Sequence, residues 1–159
     1  MINREFGLIG YPLSHSFSKN LFEEKFIREG ITDVAYHLFE PETIDGIRAL
    51  ISQRPLLDGL NVTIPYKEAV VPFLDDLEKE AKETGAVNCI KVSRFLGEAS
   101  LKGYNTDMPA FREMISPYLG NHAGKALVLG TGGASKAVCA ALRQDGIAWP
   151  PVTRHSRRG

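Results

Sequence analysis

The hydrophobic pattern of the chain alternates between short apolar runs and apolar residues at helical spacing. Short runs predict strands at Phe6–Gly10 and Val34–Phe39, and a third strand that ends near Ile64. Helical spacing recurs in five segments: Phe17 to Phe26, Ile44 to Ile51, Val70 to Leu77, Phe111 to Leu119, and the residues after Ser135 through Leu142. This alternation predicts an α/β fold, in which a mostly parallel sheet is covered by helices on both faces.

The later part of the chain completes the first predicted domain and then starts a second unit of the same kind. Ala86–Val92 and Leu101–Tyr104 are strand-like, and the helix with Phe111 is expected to end near Gly120. Lys125–Leu129 then forms a new apolar strand. We therefore expect one domain at residues 1–105. Residues 106–159 are expected to form a linker helix and the first βαβ part of a Rossmann-like domain.

Composition excludes several classes of function. Nineteen basic residues balance nineteen acidic ones, so no net field attracts nucleic acid or an anionic membrane. No apolar run is long enough to cross a bilayer, and the start lacks the pattern of a secretion signal. Cys89 and Cys139 have neither metal-ligand nor disulfide spacing. These features predict a cytoplasmic protein with free thiols and no metal.

A glycine-rich loop lies between the strand Lys125–Leu129 and the helix that follows it. In this context the start of the helix binds the pyrophosphate of a dinucleotide through backbone N–H groups. Ser135 replaces the last glycine of the simplest motif, and a glycine turn without a ligand is the alternative. The loop consists of Gly130, Thr131, Gly132, Gly133, Ala134 and Ser135.

The basic segment near residue 154 indicates which dinucleotide the loop would bind. An NAD site places an acidic residue about 20 positions after the loop to hold the ribose hydroxyls. Here the segment contains Thr153, Arg154 and Arg158 and no acid. Guanidinium groups are suited to a 2′-phosphate, which favours NADP over NAD. The alternative is a solvated basic tail.

A second candidate site lies at the end of the strand before Pro65. Polar Asn61, Thr63 and Lys67 stand where α/β proteins place their chemistry, at the carboxyl end of a buried strand. Asp107 is the expected carboxylate partner of Lys67, and a lysine held in this way passes a proton to or from a substrate hydroxyl. The alternatives are a surface lysine and an aspartate that caps the next helix.

Ser14, Ser16 and Asn88 are further candidates for ligand binding. The serines precede a helix, where their hydroxyls either cap it or bind a carboxylate near its positive end. Asn88 lies within an apolar run, and its buried amide needs partners that a ligand hydroxyl would provide. Together with Lys67 and Asp107, these residues suggest a site for a polyhydroxylated, acidic small molecule.

These segments closely resemble the shikimate dehydrogenase family. The resemblance implies reversible, NADPH-dependent reduction of 3-dehydroshikimate to shikimate, a step of the shikimate pathway of aromatic amino-acid biosynthesis. Five segments match in family order and extend over most of the chain: Gly10–Ser16, Asn61–Lys67, Gly85–Asn88, Gly103–Asp107 and Gly130–Ser135.

The resemblance also assigns roles to residues. It implies that Lys67 is the catalytic acid/base, with Asp107 as its partner, and that Ser14 and Ser16 bind the substrate carboxylate. The implied substrate-binding set is Ser14, Ser16, Asn61, Thr63, Lys67, Asn88 and Asp107. The implied cofactor-binding set is Gly130, Thr131, Gly132, Gly133, Ala134, Ser135, Thr153, Arg154 and Arg158.

The chain departs from the family pattern in three respects. Cys89 stands where the family usually has threonine, and Met108 where glycine is common. Pro150 and Pro151 fall where the second strand of the nucleotide fold should run, although proline pairs poorly in a central strand. The residues after Gly130 suffice for one helix and one strand, so we expect a truncated enzyme with a substrate pocket, little activity of its own, and exposed apolar surface that favours self-association.

Two other functions fit the same residues. One is a quinate/shikimate dehydrogenase that uses NAD, against which Arg154 argues because it stands in place of an acid. The other is a non-catalytic shikimate-binding module that kept the pocket and lost turnover. The substrate partner is a small molecule in each case.

Overall fold

The structure is a computed structural model that describes residues 1–119 and 125–149, together with the backbone of 151–152. The strands are β1 (Arg4–Ile9), β2 (Val34–Phe39), β3 (Leu57–Val62), β4 (Asp76–Leu77), β5 (Cys89–Phe95), β6 (Glu98–Tyr104), β7 (Val128–Leu129) and β8 (Pro151–Val152). The helices are α1 (Ser18–Arg28), α2 (Ile47–Ser52), α3 (Tyr66–Ala69), α4 (Lys79–Thr84), α5 (Asp107–Leu119) and α6 (Gly133–Gln144).

The first six strands form one sheet in the order β2-β1-β3-β5-β6-β4. Strand β1 pairs in parallel with β2 and β3, and β4 pairs in parallel with β6, which confirms the predicted α/β class. Strand β5 is antiparallel to both β3 and β6. The chain reverses direction between β5 and β6 at a two-residue turn, where Leu96 and Gly97 have positive φ angles of 48° and 88°.

Helices cover the sheet on both faces, because alternate residues of each strand point in opposite directions. Leu8 and Tyr36 of β1 and β2 face α1, where Phe22 and Phe26 pack against them. The residues of these strands that point to the other face, such as Ile9 and Phe39, belong to the larger core. That core includes Ile44, Ile47, Ile51, Leu57, Leu60, Val62, Tyr66, Val70, Val87, Ile90 and Leu101.

The single helix predicted for Val70 to Leu77 is wrong. Helix α3 ends at Ala69, a 3-10 turn covers Val71–Phe73, and Leu77 belongs to strand β4. Pro72 lies in that turn, where its missing N–H cannot support a longer helix. The carboxylate of Asp75 then accepts a 2.7 Å hydrogen bond from the Leu101 backbone N–H, which ties the extended segment to β6.

Helix α6 packs on α5, since Ala137, Ala140 and Ala141 form a buried cluster with Met108. Strand β7 pairs in parallel with β8, so a strand forms at Pro151 where the prolines led us to expect weak pairing. Its proline is the first residue of the strand, the position in which a missing N–H does least harm. The predicted end of α5 at Gly120 and the basic segment after Val152 lie outside the described residues. Within the described part of the chain, no helix is long and apolar enough to span a membrane.

Candidate functional site

Lys67 and Asp107 form an ion pair at the end of β3. Strand β3 ends at Val62, and Pro65 stands at the N-cap of α3, which places Lys67 in the first turn of that helix. Asp107 is the first residue of α5. Lys67 Nζ lies 2.7 Å from Asp107 Oδ2, and the two side chains are 16% and 33% exposed. The structure thus brings together the two residues that the sequence proposed as partners, in a position that small molecules can reach.

Asn88 binds the second carboxylate oxygen of Asp107. Its Nδ2 donates to Asp107 Oδ1 at 2.7 Å and to Thr106 Oγ1 at 2.9 Å. Its Oδ1 accepts from the Thr106 backbone N–H at 2.9 Å. The partners of this amide are therefore protein groups, whereas the sequence suggested a ligand hydroxyl. Asn88 and Lys67 together fix the carboxylate of Asp107 from two sides.

Asn105 is a buried residue that the sequence analysis did not single out. It is 3% exposed, and its Nδ2 donates to Thr84 Oγ1 at 3.0 Å and to the Ala86 carbonyl at 2.9 Å. Its Oδ1 accepts from the Met108 backbone N–H at 3.1 Å, so Asn105 caps α5 and Asp107 does not. The signal in the sequence was the strong N-cap preference of asparagine two positions before Asp107.

Replacing Asn105 by alanine is expected to lower the free energy of unfolding by about 2 kcal/mol, because it leaves buried hydrogen-bonding groups unpaired and removes a helix cap. Chemical denaturation followed by circular dichroism measures this change. Asn20→Ala, at an exposed position of α1, is the matched control and should stay within about 0.5 kcal/mol of the parent chain. Equal effects of the two substitutions would contradict the assigned role.

The loop that carries Ser14 and Ser16 starts beside Thr63. The Thr63 backbone N–H donates to the Ile9 carbonyl at 3.0 Å, and the Tyr11 N–H donates to the Ile64 carbonyl at 3.0 Å. Gly10 packs so closely on the Thr63 side chain that a Cβ there would collide with it. The loop is therefore attached at the carboxyl end of β3, the same end at which Lys67 follows.

Neither serine is the N-cap residue of α1. The helix starts at Ser18 with Phe17 at its N-cap, and the side chain of Phe17 makes no capping hydrogen bond. Ser16 Oγ accepts from the Ser18 backbone N–H at 3.3 Å, which leaves its hydroxyl proton available as a donor. Ser14 is exposed. These hydroxyls and the first N–H groups of α1 are suited to an anionic group.

Asn61 and Cys89 face each other across β3 and β5 on the side of the sheet that carries α1. Asn61 Oδ1 accepts a 2.8 Å hydrogen bond from the Tyr36 hydroxyl. A cavity of about 350 Å³ between α1 and the sheet is lined by both residues and by Phe22 and Phe26. Cys89 is a free cysteine, as predicted, and burial raises the pKa of its thiol, so the group stays protonated at neutral pH.

The glycine-rich loop reaches the site from the second unit. Gly130 has a φ of 112°, and Cβ atoms built at Gly130 and Gly132 would meet open space. A Cβ built at Gly133 would lie only 2.9 Å from Lys67 Cβ. Thr131, Gly132 and Ala134 are exposed, and Ser135 Oγ donates to the Gly132 carbonyl at 2.7 Å. Thr153, Arg154 and Arg158 lie outside the described residues.

The chain is similar in sequence to shikimate dehydrogenases. The family model "Shikimate dehydrogenase substrate binding domain" matches residues 8–90. A shikimate dehydrogenase (NADP(+)) from Halothermothrix orenii is 41% identical over 147 residues, which cover 88% of this chain and 48% of the relative. The chain thus spans about half the length of the curated relatives that it matches.

Solved structures agree with the sequence comparison. Shikimate dehydrogenase 1 from Peptoclostridium difficile has a TM-score of 0.81 and 35% identity, over 98% of this chain and 57% of that protein. Shikimate 5-dehydrogenase from Thermus thermophilus, in complex with NADP(H) and shikimate, has a TM-score of 0.77 and 31% identity, over 96% of this chain and 56% of that protein. The family match covers just over half of the chain, and the chain therefore belongs to the shikimate dehydrogenase family, with its substrate binding domain at residues 8–90.

Proposed function

We propose that this chain supplies the substrate-binding half of a shikimate dehydrogenase, an enzyme that reversibly reduces 3-dehydroshikimate to shikimate with NADPH. The observation that carries the proposal is the Lys67–Asp107 pair at 2.7 Å, held from a second side by Asn88. We place the enzyme in the cytoplasm, with small molecules as its partners and without a membrane or nucleic-acid role. Residues 1–105 are assigned to substrate binding and residues 106–159 to the start of the nucleotide-binding domain.

In this proposal Lys67 moves the proton of the reaction. In the direction of reduction, its ammonium group donates a proton to the carbonyl oxygen of 3-dehydroshikimate as that oxygen becomes a hydroxyl. In the direction of oxidation, the neutral amine accepts the proton of the same hydroxyl. Asp107 orients the lysine, and Asn88 keeps the carboxylate in place by donating to its other oxygen.

The remaining polar residues are assigned to binding. Ser14 and Ser16 donate to the substrate carboxylate at the positive end of α1. Asn61 and Thr63 contact ring hydroxyls, as do Lys67 and Asp107. Asn88, whose amide is bonded to Thr106 and Asp107, is assigned to the same contact because it holds the Asp107 carboxylate in place. Support comes from the backbone bonds that attach the serine loop to Thr63 and Ile64. A ligand held at both its carboxylate and its hydroxyls is oriented as well as bound, which lowers the entropic part of the barrier.

The glycine-rich loop fits the pyrophosphate of NADP. Open space at Gly130 and Gly132 allows the backbone to approach phosphate oxygens, and the exposed first turn of α6 offers N–H groups to them. We assign Gly130, Thr131, Gly132, Gly133, Ala134 and Ser135 to this contact, and Thr153, Arg154 and Arg158 to the 2′-phosphate. When bound, NADPH supplies the hydride; the residues of this chain position the substrate and transfer the proton.

Calorimetric titration of the chain with shikimate tests the proposal. We expect saturable binding and a melting temperature that rises with shikimate concentration, because the ligand binds only the folded state. Cyclohexanecarboxylate, which lacks the ring hydroxyls, is the matched control ligand. It should bind at least about tenfold more weakly, since polar groups of the site are left unpaired. A folded chain that binds neither ligand, or both equally, would refute the assignment.

A further inference from the structure

We propose that Tyr36 is a positioning residue of the candidate site, which fixes the side-chain amide of Asn61 so that Nδ2 faces a bound ligand. The inference rests on the proposed role of Asn61 in substrate binding. Tyr36 lies on β2, and its hydroxyl reaches over β1 to Asn61 on β3, where it donates to Oδ1 at 2.8 Å. A single hydrogen bond therefore joins the edge strand of the sheet to the candidate site.

Packing holds the tyrosine ring in one position. Tyr36 is 3% exposed, and its ring stacks on that of Phe22 with centroids 4.4 Å apart and an interplanar angle of 12°. Leu8 and Leu13 belong to the same buried cluster. A ring packed in this way has lost its freedom to rotate before any ligand arrives. The hydroxyl is thus presented to Asn61 at no further entropic cost when a ligand binds.

The hydrogen bond from Tyr36 sets which way the amide points, because the hydroxyl donates to Oδ1. Burial raises the pKa of Tyr36 above its ordinary value of 10.0, so the phenol keeps the proton that it donates. An amide offers an acceptor on one side and two donors on the other. With Oδ1 occupied by Tyr36, the Nδ2 donors point away from it. Among the described residues, Nδ2 donates to no protein group, which leaves it for a ligand oxygen.

The sequence alone did not identify this residue. Tyr36 lies in the apolar run Val34–Phe39, where an aromatic residue fits an ordinary core position of a strand. Much of its side chain does serve the core. The additional role belongs to one atom, the hydroxyl oxygen, so the two roles are separable by Tyr36→Phe, which keeps the ring and removes only the hydrogen bond.

The first experiment concerns the protein without ligand. In Tyr36→Phe, the side-chain amide signals of Asn61 in ¹⁵N NMR spectra are expected to shift and their order parameter to fall, because the amide is released. Tyr66→Phe is the matched control: Tyr66 is also buried at 5% exposure, and its hydroxyl donates to the Pro41 carbonyl instead. Unchanged Asn61 signals in Tyr36→Phe would overturn the proposal, whether or not shikimate binds.

The second experiment is a double-mutant cycle on shikimate binding. Tyr36→Phe is expected to weaken binding by about threefold to tenfold, the value of one hydrogen bond. In an Asn61→Ala background the same substitution should have no further effect, because Tyr36 acts through Asn61. Equal losses in both backgrounds, or no loss in either, would overturn the proposal. Absence of shikimate binding by the parent chain would refute the proposed function, while the NMR result would still decide the role of Tyr36.

Discussion

Replacing Lys67 by arginine is expected to lower turnover by a factor of about 10² to 10⁴, the contribution of a positioned acid/base. Shikimate binding should change far less. Arginine keeps the positive charge opposite Asp107 and has the reach for the 2.7 Å ion pair. Its guanidinium group stays protonated at every accessible pH, so it cannot accept the proton of the substrate hydroxyl. The substitution therefore separates proton transfer from binding.

Turnover is best measured in a chimera, because the chain spans about half the length of its relatives. In this chimera, the matched segment of the present chain is followed by the remainder of the Halothermothrix orenii enzyme. The rate of NADP⁺ reduction at saturating shikimate gives kcat, and calorimetry gives the dissociation constant. Lys136→Arg is the matched control, since Lys136 makes an exposed ion pair with Glu68 and should retain the rate of the parent chimera.

Two results would count against the role of Lys67. If Lys67→Arg kept the parent rate, the residue would not be the acid/base. If the substitution abolished binding and turnover together, Lys67 would act through binding alone, and the proton would have to be moved by another group. A loss confined to kcat is the result that the proposed mechanism requires.

Most of the fold could be predicted because its signals are local. Apolar runs identify β1 and β2 without help from distant residues, and the glycine-rich loop marks the junction of β7 and α6. Helix α4 was missed because only Ala81 and Thr84 of its six residues are buried, which leaves no apolar periodicity. The boundary between α3 and β4 depends on the bond from the Leu101 N–H to Asp75, a partner distant in sequence. Tertiary contacts of this kind override local propensity.

In the candidate site, too, residues with a local sequence signal could be predicted, and residues that act through tertiary contacts could not. Lys67 and Asp107 were recognisable as partners because each stands at the end of a predicted element with a polar neighbourhood. Asn105 and Tyr36 were missed, since their importance lies in hydrogen bonds to Thr84, Ala86 and Asn61 that only the folded chain creates. Sequence pattern therefore locates groups that face a ligand more readily than the groups that hold them in place.

Replacing Gly133 by valine is expected to lower the free energy of unfolding by about 3 kcal/mol and to weaken shikimate binding. Neither Gly132 nor Gly133 has a positive φ, so backbone strain plays no part at either position. The cause is steric: a Cβ at Gly133 would lie 2.9 Å from Lys67 Cβ and 3.6 Å from Ala86 Cβ. Either α6 moves away from Lys67 and Ala86, or the stem of Lys67 moves.

Gly132→Val is the matched control, because a Cβ at the neighbouring position meets nothing within 4 Å. Gly132 is the N-cap residue of α6, so Gly132→Val should lower the free energy of unfolding by about 1 kcal/mol, well below the effect at Gly133, and leave shikimate affinity unchanged. Urea denaturation and calorimetric titration of both variants measure the difference. If the two substitutions lowered the free energy of unfolding equally, the close approach of α6 to Lys67 would be ruled out as the cause. If Gly133→Val destabilises the chain and leaves shikimate affinity unchanged, α6 moves and Lys67 stays in position. Gly133 would then be required for the packing of α6 and not for the position of the lysine.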